Sequence, residues 1–189
     1  MSLQSYRECL ITQPDAGTLF NTYTTAKTVI NPNALWTMPP NWCRLGRKLN
    51  LRVSGAISNI VTTPGLMNFQ VIIGGVAAFD SGNIQLNASA HTTIPFWADI
   101  DLTIRAIGNA TNANLIGFGA FTGKMFTLTA GQTDDAQGHM TIIAPVGVPA
   151  VGTGFNSTIA NIVDFFVGFT ISNAGNGVQI HEYGLYADN

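Results

Sequence analysis

Asp99 and Asp101 sit two apart in the stretch PFWADIDLTIRAI. On an extended strand that spacing puts both carboxylates on one face. Paired carboxylates are what glycoside acid–base chemistry needs. A wet strand face with Arg105 nearby accounts for the pair more simply. The three histidines, His91, His139 and His181, are far apart and match no metal-ligand spacing. His181 and Glu182 are neighbours, which a regular strand points to opposite faces, so a hydrogen-bonded strand histidine is expected. Asp134 and Asp135 offer oxygens for calcium, but Ala136, Gln137 and Gly138 do not continue a calcium-loop pattern. A solvated loop over 129–138 is expected there. Gly117-Phe-Gly119 and Gly152-Thr-Gly154 lack the further glycine, the lysine and the helix of a phosphate loop. No nucleophile elbow stands out. Cys9 and Cys43 are expected to be free, packed thiols. The residues therefore assign no catalytic, metal or cofactor site, and the chain is expected not to be an enzyme.

Aromatic residues are more informative, and the strands that carry them give the reason. From Phe96 onward the stretch alternates: Phe96, Ala98, Ile100, Leu102 and Ile104 on one face, Trp97, Asp99, Asp101, Thr103 and Arg105 on the other. That is a long strand with one buried face. Residues 49–60 and 66–74 alternate likewise around Pro64-Gly65, which predicts a β-hairpin over 49–74. Val163, Phe165, Val167, Phe169 and Ile171 alternate with Asp164, Phe166, Gly168, Thr170 and Ser172; residues 173–177 turn the chain and 178–186 return. Trp97, Phe166 and Tyr183 fall opposite the apolar rows, so they are expected on outer faces as candidate protein-interface residues. The competing expectation is that an arm of the same chain covers them.

No stretch has three turns of helical amphipathicity, and turns recur at short intervals. Roughly eight to ten strands are expected. The fold class is all-β: an antiparallel two-sheet sandwich, jelly-roll-like, with an extended N-terminal arm. Residues 1–17 form the arm or lead-in, one of its residues being Arg7; residues 18–189 form a single domain. Residues 156–160 (NSTIA) are expected to make one helical turn capped by Asn156 or Ser157.

Of the 189 residues, 46% are hydrophobic and only 10% are charged, against about 25% charged in typical domains. Thr, Asn, Ser, Gln and Gly replace the missing charge. So weakly charged a surface is easier to understand if an assembly covers much of it. The net charge of -2 gives no electrostatic reason to bind nucleic acid. No apolar run approaches the roughly 20 residues that cross a membrane. Arg7 and Glu8 interrupt what a secretory signal would need, so none is expected.

Residues 151–189, VGTGFNSTIANIVDFFVGFTISNAGNGVQIHEYGLYADN, together with IVTTPG, IPFWADIDLTIRAIG and TLFNTYTTAKTVINP, resemble a group of tailed-bacteriophage virion structural proteins. The resemblance spans residues 18–189 and lies in turns and strand patterns, so it carries over no binding residue. It implies a jelly-roll-like structural protein, a homotrimer, and a head decoration or cement role in which the partner is the phage major capsid protein. The expected location is the capsid surface, after assembly in the host cytoplasm. A head-fibre or tail/baseplate protein is the alternative within that group. A carbohydrate-binding module is a further one, with Trp97, Asp99 and Asp101 as its only candidate platform.

Overall fold

The computed structural model describes residues 6–60, 62–128, 131 and 139–188. The expected loop over 129–138, with Asp134 and Asp135, lies outside the described residues apart from Gly131.

The chain is an all-β, two-sheet antiparallel sandwich, as the alternation predicts. Its strands are β1 (Arg7–Thr12), β2 (Phe20–Asn21), β3 (Lys27–Thr28), β4 (Trp36–Met38), β5 (Lys48–Asn59), β6 (Leu66–Ile73), β7 (Val76–Asp80), β8 (Ile84–Leu86), β9 (His91–Ala106), β10 (Asn114–Gly123), β11 (Phe126–Thr127), β12 (Met140–Ala144), β13 (Asn161–Phe169) and β14 (Gly177–Asp188). The first sheet runs β1-β14-β5-β9-β10-β12, with β2 also on β14. The second runs β11-β8-β6-β13-β3, with β4 on β13 and β7 on β6. The long alternating stretch is β9, central in the first sheet between β5 and β10. No helix among the described residues is long and apolar enough to cross a membrane.

Both expected chain reversals turn out to be crossings between sheets. β5 pairs with β9 and β14, whereas β6 pairs with β7, β8 and β13. β13 and β14 likewise lie in opposite sheets. Alternation reports which residues face inward; it does not report which sheet a strand joins. The two crossings pack side by side and are tied by Asn176, which is buried. The Ile60 amide donates to Asn176 Oδ1 at 3.0 Å, and Asn176 Nδ2 donates to the carbonyls of Pro64 at 3.0 Å and Ile171 at 3.1 Å. The Thr170 amide donates to the Leu66 carbonyl at 2.9 Å.

The core is aromatic at its centre. Phe69 of β6 stacks on Phe121 of β10 with ring centroids 4.4 Å apart, and meets Phe96 and Phe165 at 5.9 Å each. These rings come from both sheets and fix the spacing between them. Gly117 and Gly119 belong to this packing: a Cβ at Gly117 would meet the Phe79 ring at 2.4 Å. The extended lead-in contributes β1, which pairs along β14 from Arg7↔Asp188 to Thr12↔Gly184. Residues 156–160 form no helix; the Thr158 amide donates to Asn156 Oδ1 at 2.9 Å, closing an Asn-capped turn in its place. Cys9 and Cys43 are both free thiols, but only Cys43 is packed; Cys9, on the marginal strand β1, is exposed, contrary to expectation. Burial pushes the Cys43 thiol up to about 11, against the opposing pull of Arg47.

Asn176→Ala leaves one amide and two carbonyls of the crossings without their partner. It should lower unfolding free energy by about 3 kcal/mol. A urea titration should show a lower midpoint at unchanged slope.

Candidate functional site

The outer face of the first sheet is built by strand parity. Inner positions of β9 fill the core, so Trp97, Asp99, Asp101, Thr103 and Arg105 project outward. Across β5 these positions meet Ser54, Arg52, Asn50 and Lys48 in register, from Trp97 to Thr103. β14 is then irregular: its register against β5 shifts between Ile180 and Glu182. Val178 and Ile180 face inward before the bulge, and Tyr183, Leu185 and Ala187 after it. His181 and Glu182 are both exposed as a result. A bulge adds one residue to one strand and so reverses its parity.

That bulge corrects one expectation. Tyr183 is not on the outer face; it is 2% exposed and belongs to the core. Simple alternation from Val178 and Ile180 put it outside. Its hydroxyl has no hydrogen-bond partner among the described residues, and burial raises its pKa, with Asp164 adding to the rise. Trp97 does face outward, 44% exposed. Phe166 lies on the outer side of β13, half-buried, where Thr28 of β3 and Gln70 of β6 are its register partners. Trp97 and Phe166 thus occupy opposite outer faces of the sandwich, and one flat contact cannot take both.

The paired carboxylates are tied into a network. Asn50 Nδ2 donates to Asp99 Oδ1 at 2.5 Å and to Asp101 Oδ1 at 2.9 Å. Arg52 Nε lies 3.6 Å from Asp99 Oδ2. Arg7 donates to Asn50 Oδ1, and its guanidinium lies over the Tyr186 ring at 4.4 Å. The counter-charge of Asp99 is therefore Arg52, from the next strand. An amide bridging two carboxylates, with Arg52 on one of them, holds a wet strand face together. His91 is buried with Nδ1 2.8 Å from Asn59 Oδ1. Asp164, on the outer side of β13, is raised above the usual carboxylate range by burial, opposed by hydrogen bonds from Thr28 and the Phe165 amide.

Between Trp97 and β1 the face sinks into an open depression of about 450 Å³, whose lining includes Thr12, Arg52, Ser54, Glu182 and Tyr186. Ser54 Oγ donates to Glu182 Oε2 at 3.0 Å. Part of the floor is Gly184, over which the Tyr186 ring lies; a Cβ there would come within 2.8 Å of that ring. Arg52, Ser54 and Glu182 carry no motif, so sequence reasoning missed them. Their signal is register, which appears only once β5, β9 and β14 are aligned.

The outer face divides by charge. Residues 106–123 and 140–163 contain no Asp, Glu, Lys or Arg; they hold β10, β12 and the segment after β12. On this side Phe118, Ile143, Val146, Val148 and Val151 are exposed, Ile143 at 65% and Val148 at 91%. Val151 and Phe155 bridge to Ile116 and Ala113 and extend the edge that β12 begins. A second depression of about 320 Å³ lies there, lined in part by Phe79, Gly117, Pro145, Val148 and Val151, with Asp80 of β7 as the charged residue at its border.

No family model matches the chain, and no curated protein matches it. Among solved structures it is similar to the CBM2 module of the evolved Dit of Lactobacillus casei BL23 phage J-1, at 10% identity and TM-score 0.37, over 99% of this chain and 98% of that one. It is also similar to the winged bean acidic lectin complexed with methyl-α-D-galactose, at 9% identity and TM-score 0.30, over 97% of this chain and 98% of the lectin.

If Tyr183 is a core residue, Tyr183→Ala should cost about 3–5 kcal/mol of stability through the cavity it leaves. Tyr183→Phe should cost nothing, since the hydroxyl lost has no partner among the described residues. Thermal unfolding of the two variants separates these outcomes.

Proposed function

We propose that this chain is a non-enzymatic structural protein of a tailed-bacteriophage virion, a trimeric decoration or cement protein that braces major capsid subunits at the capsid surface. The observation that carries this reading is the uncharged, apolar edge formed by β12 and residues 145–155. The other marginal strands are blunted: β7 ends in the exposed Asp80 and pairs with β6 through a register shift, and β2 and β4 are two and three residues long. β1 carries Arg7 and Glu8 and a bulge between Cys9 and Ile11. β11 and β3 are two residues long. Short strands, charges and bulges are the usual guards against edge pairing. β12 has five residues and none of these guards among the described residues. Exposed apolar surface of this kind marks a contact, and charge is depleted at interface centres.

The uncharged edge and the uncharged part of the outer face meet along β12. A copy that presents its edge to the face of the next makes a head-to-tail contact, and such contacts close into a ring when the rotation fits. Three copies are the number that the resemblance to phage virion proteins implies. This reading draws the interface around Phe118, Ile143 and Val151; of the three residues expected there from the sequence, Tyr183 is excluded by its burial.

The mechanism is linkage. A protein that binds the intact shell better than the broken one stabilises the shell by mass action. Capsids lacking the protein should assemble yet lose their contents at lower temperature than decorated ones. Ile143→Lys should keep the wild-type circular dichroism spectrum and fail to restore that tolerance. Equal heat and salt tolerance with and without the protein would contradict the cement role.

A further inference from the structure

We infer that the depression beside Trp97 on the first sheet is a binding site for an uncharged pyranose sugar. It lies on the charged side of the outer face, with β10 between Trp97 and the β12 edge. Trp97 is only partly covered. Its partners across the sheet are Ser54 of β5 and Thr122 of β10, both small and polar. An indole left 44% exposed between them offers a flat apolar surface to a ligand.

The rest of the lining suits a pyranose. Such a ring has one face rich in C–H groups, which stacks on an indole, and a rim of hydroxyls that both donate and accept. Arg52 supplies donors and Glu182 supplies acceptors. Both are held before any ligand arrives: Arg52 by Asp99 at 3.6 Å, Glu182 by Ser54 at 3.0 Å. Groups that already have a partner on the same face lose less freedom on binding than free ones. The β14 bulge is what places Glu182 on this face, and the absence of a side chain at Gly184 lets the Tyr186 ring lie flat against the floor.

The local charge sets the ligand class. Arg52 is offset by Asp99 and Glu182, so the site has no positive excess to attract a phosphate, a uronate or a sialic acid. Asp101, the other carboxylate of the strand, is engaged by Asn50 and plays no part. The inference does not rest on the cement role. Trp97 borders the β10 face of the proposed contact through Thr122, so solution mass is measured beside sugar binding to separate a ligand effect from an assembly effect.

Saturation-transfer NMR tests it, with the full chain and glucose, galactose, mannose and N-acetylglucosamine as probes and N-acetylneuraminic acid as the anionic control. At least one neutral sugar should show saturable transfer to its ring protons. Trp97→Ala should weaken that binding at least tenfold, and Glu182→Gln should weaken it too, both at unchanged solution mass. No saturable binding of any neutral probe, undiminished binding by Trp97→Ala, or preferred binding of N-acetylneuraminic acid would overturn the inference.

Discussion

The contact of Phe69 with Phe121, Phe96 and Phe165 is what the rest of the molecule depends on. It takes rings from both sheets and leaves little room for either to slide. Once those inner positions are set, strand parity decides the outer ones wherever the register is regular. Phe96 inside forces Trp97 outside; Phe121 inside forces Thr122 outside. Glycine completes the fit where a neighbouring ring needs the space, as Phe79 does at Gly117. One β14 irregularity then gives the outer face its character. The bulge before Tyr183 sends a tyrosine into the core and leaves His181 and Glu182 on the surface. Without it, the depression beside Trp97 would lose its carboxylate acceptor.

Two surfaces result, and they differ in kind. On β1, β14, β5 and β9 the outer side chains form a bonded polar network that includes Arg7, Asn50, Asp99 and Asp101. On β10 and β12 there is no charge at all, and aliphatic side chains stand in solvent. The first arrangement is the one on which the proposed sugar site rests. The second suits a large, dry contact with protein.

Most of the fold was legible in the sequence, and the reasons are physical. Period-two alternation in residues 96–105 and 163–169 marks buried faces, and those faces are buried. The absence of helical periodicity excluded other classes. What could not be read was whatever depends on register or on which sheet receives a strand. Pro64-Gly65 signals a turn, but not that the next strand crosses to the opposite sheet, where Asn176 ties it down. Tyr183 was misplaced by one residue because a bulge leaves no composition signal. Trp97 and Phe166 were correctly assigned to outer faces, yet these faces point in opposite directions. Arg52, Ser54 and Glu182 lie far apart in the chain and only alignment of three strands brings them together. The unguarded edge at β12 is visible in sequence as two long charge-free spans, and its meaning emerges only when β12 proves to be a sheet edge.

Assembly through that edge is the claim on which the structural role stands. The most direct measurement is the absolute mass of the purified chain by light scattering after size exclusion, taken over a wide range of concentration. A single species of three chain masses, unchanged by salt, is the result expected from an uncharged apolar contact. A monodisperse single-chain mass at all concentrations would contradict it.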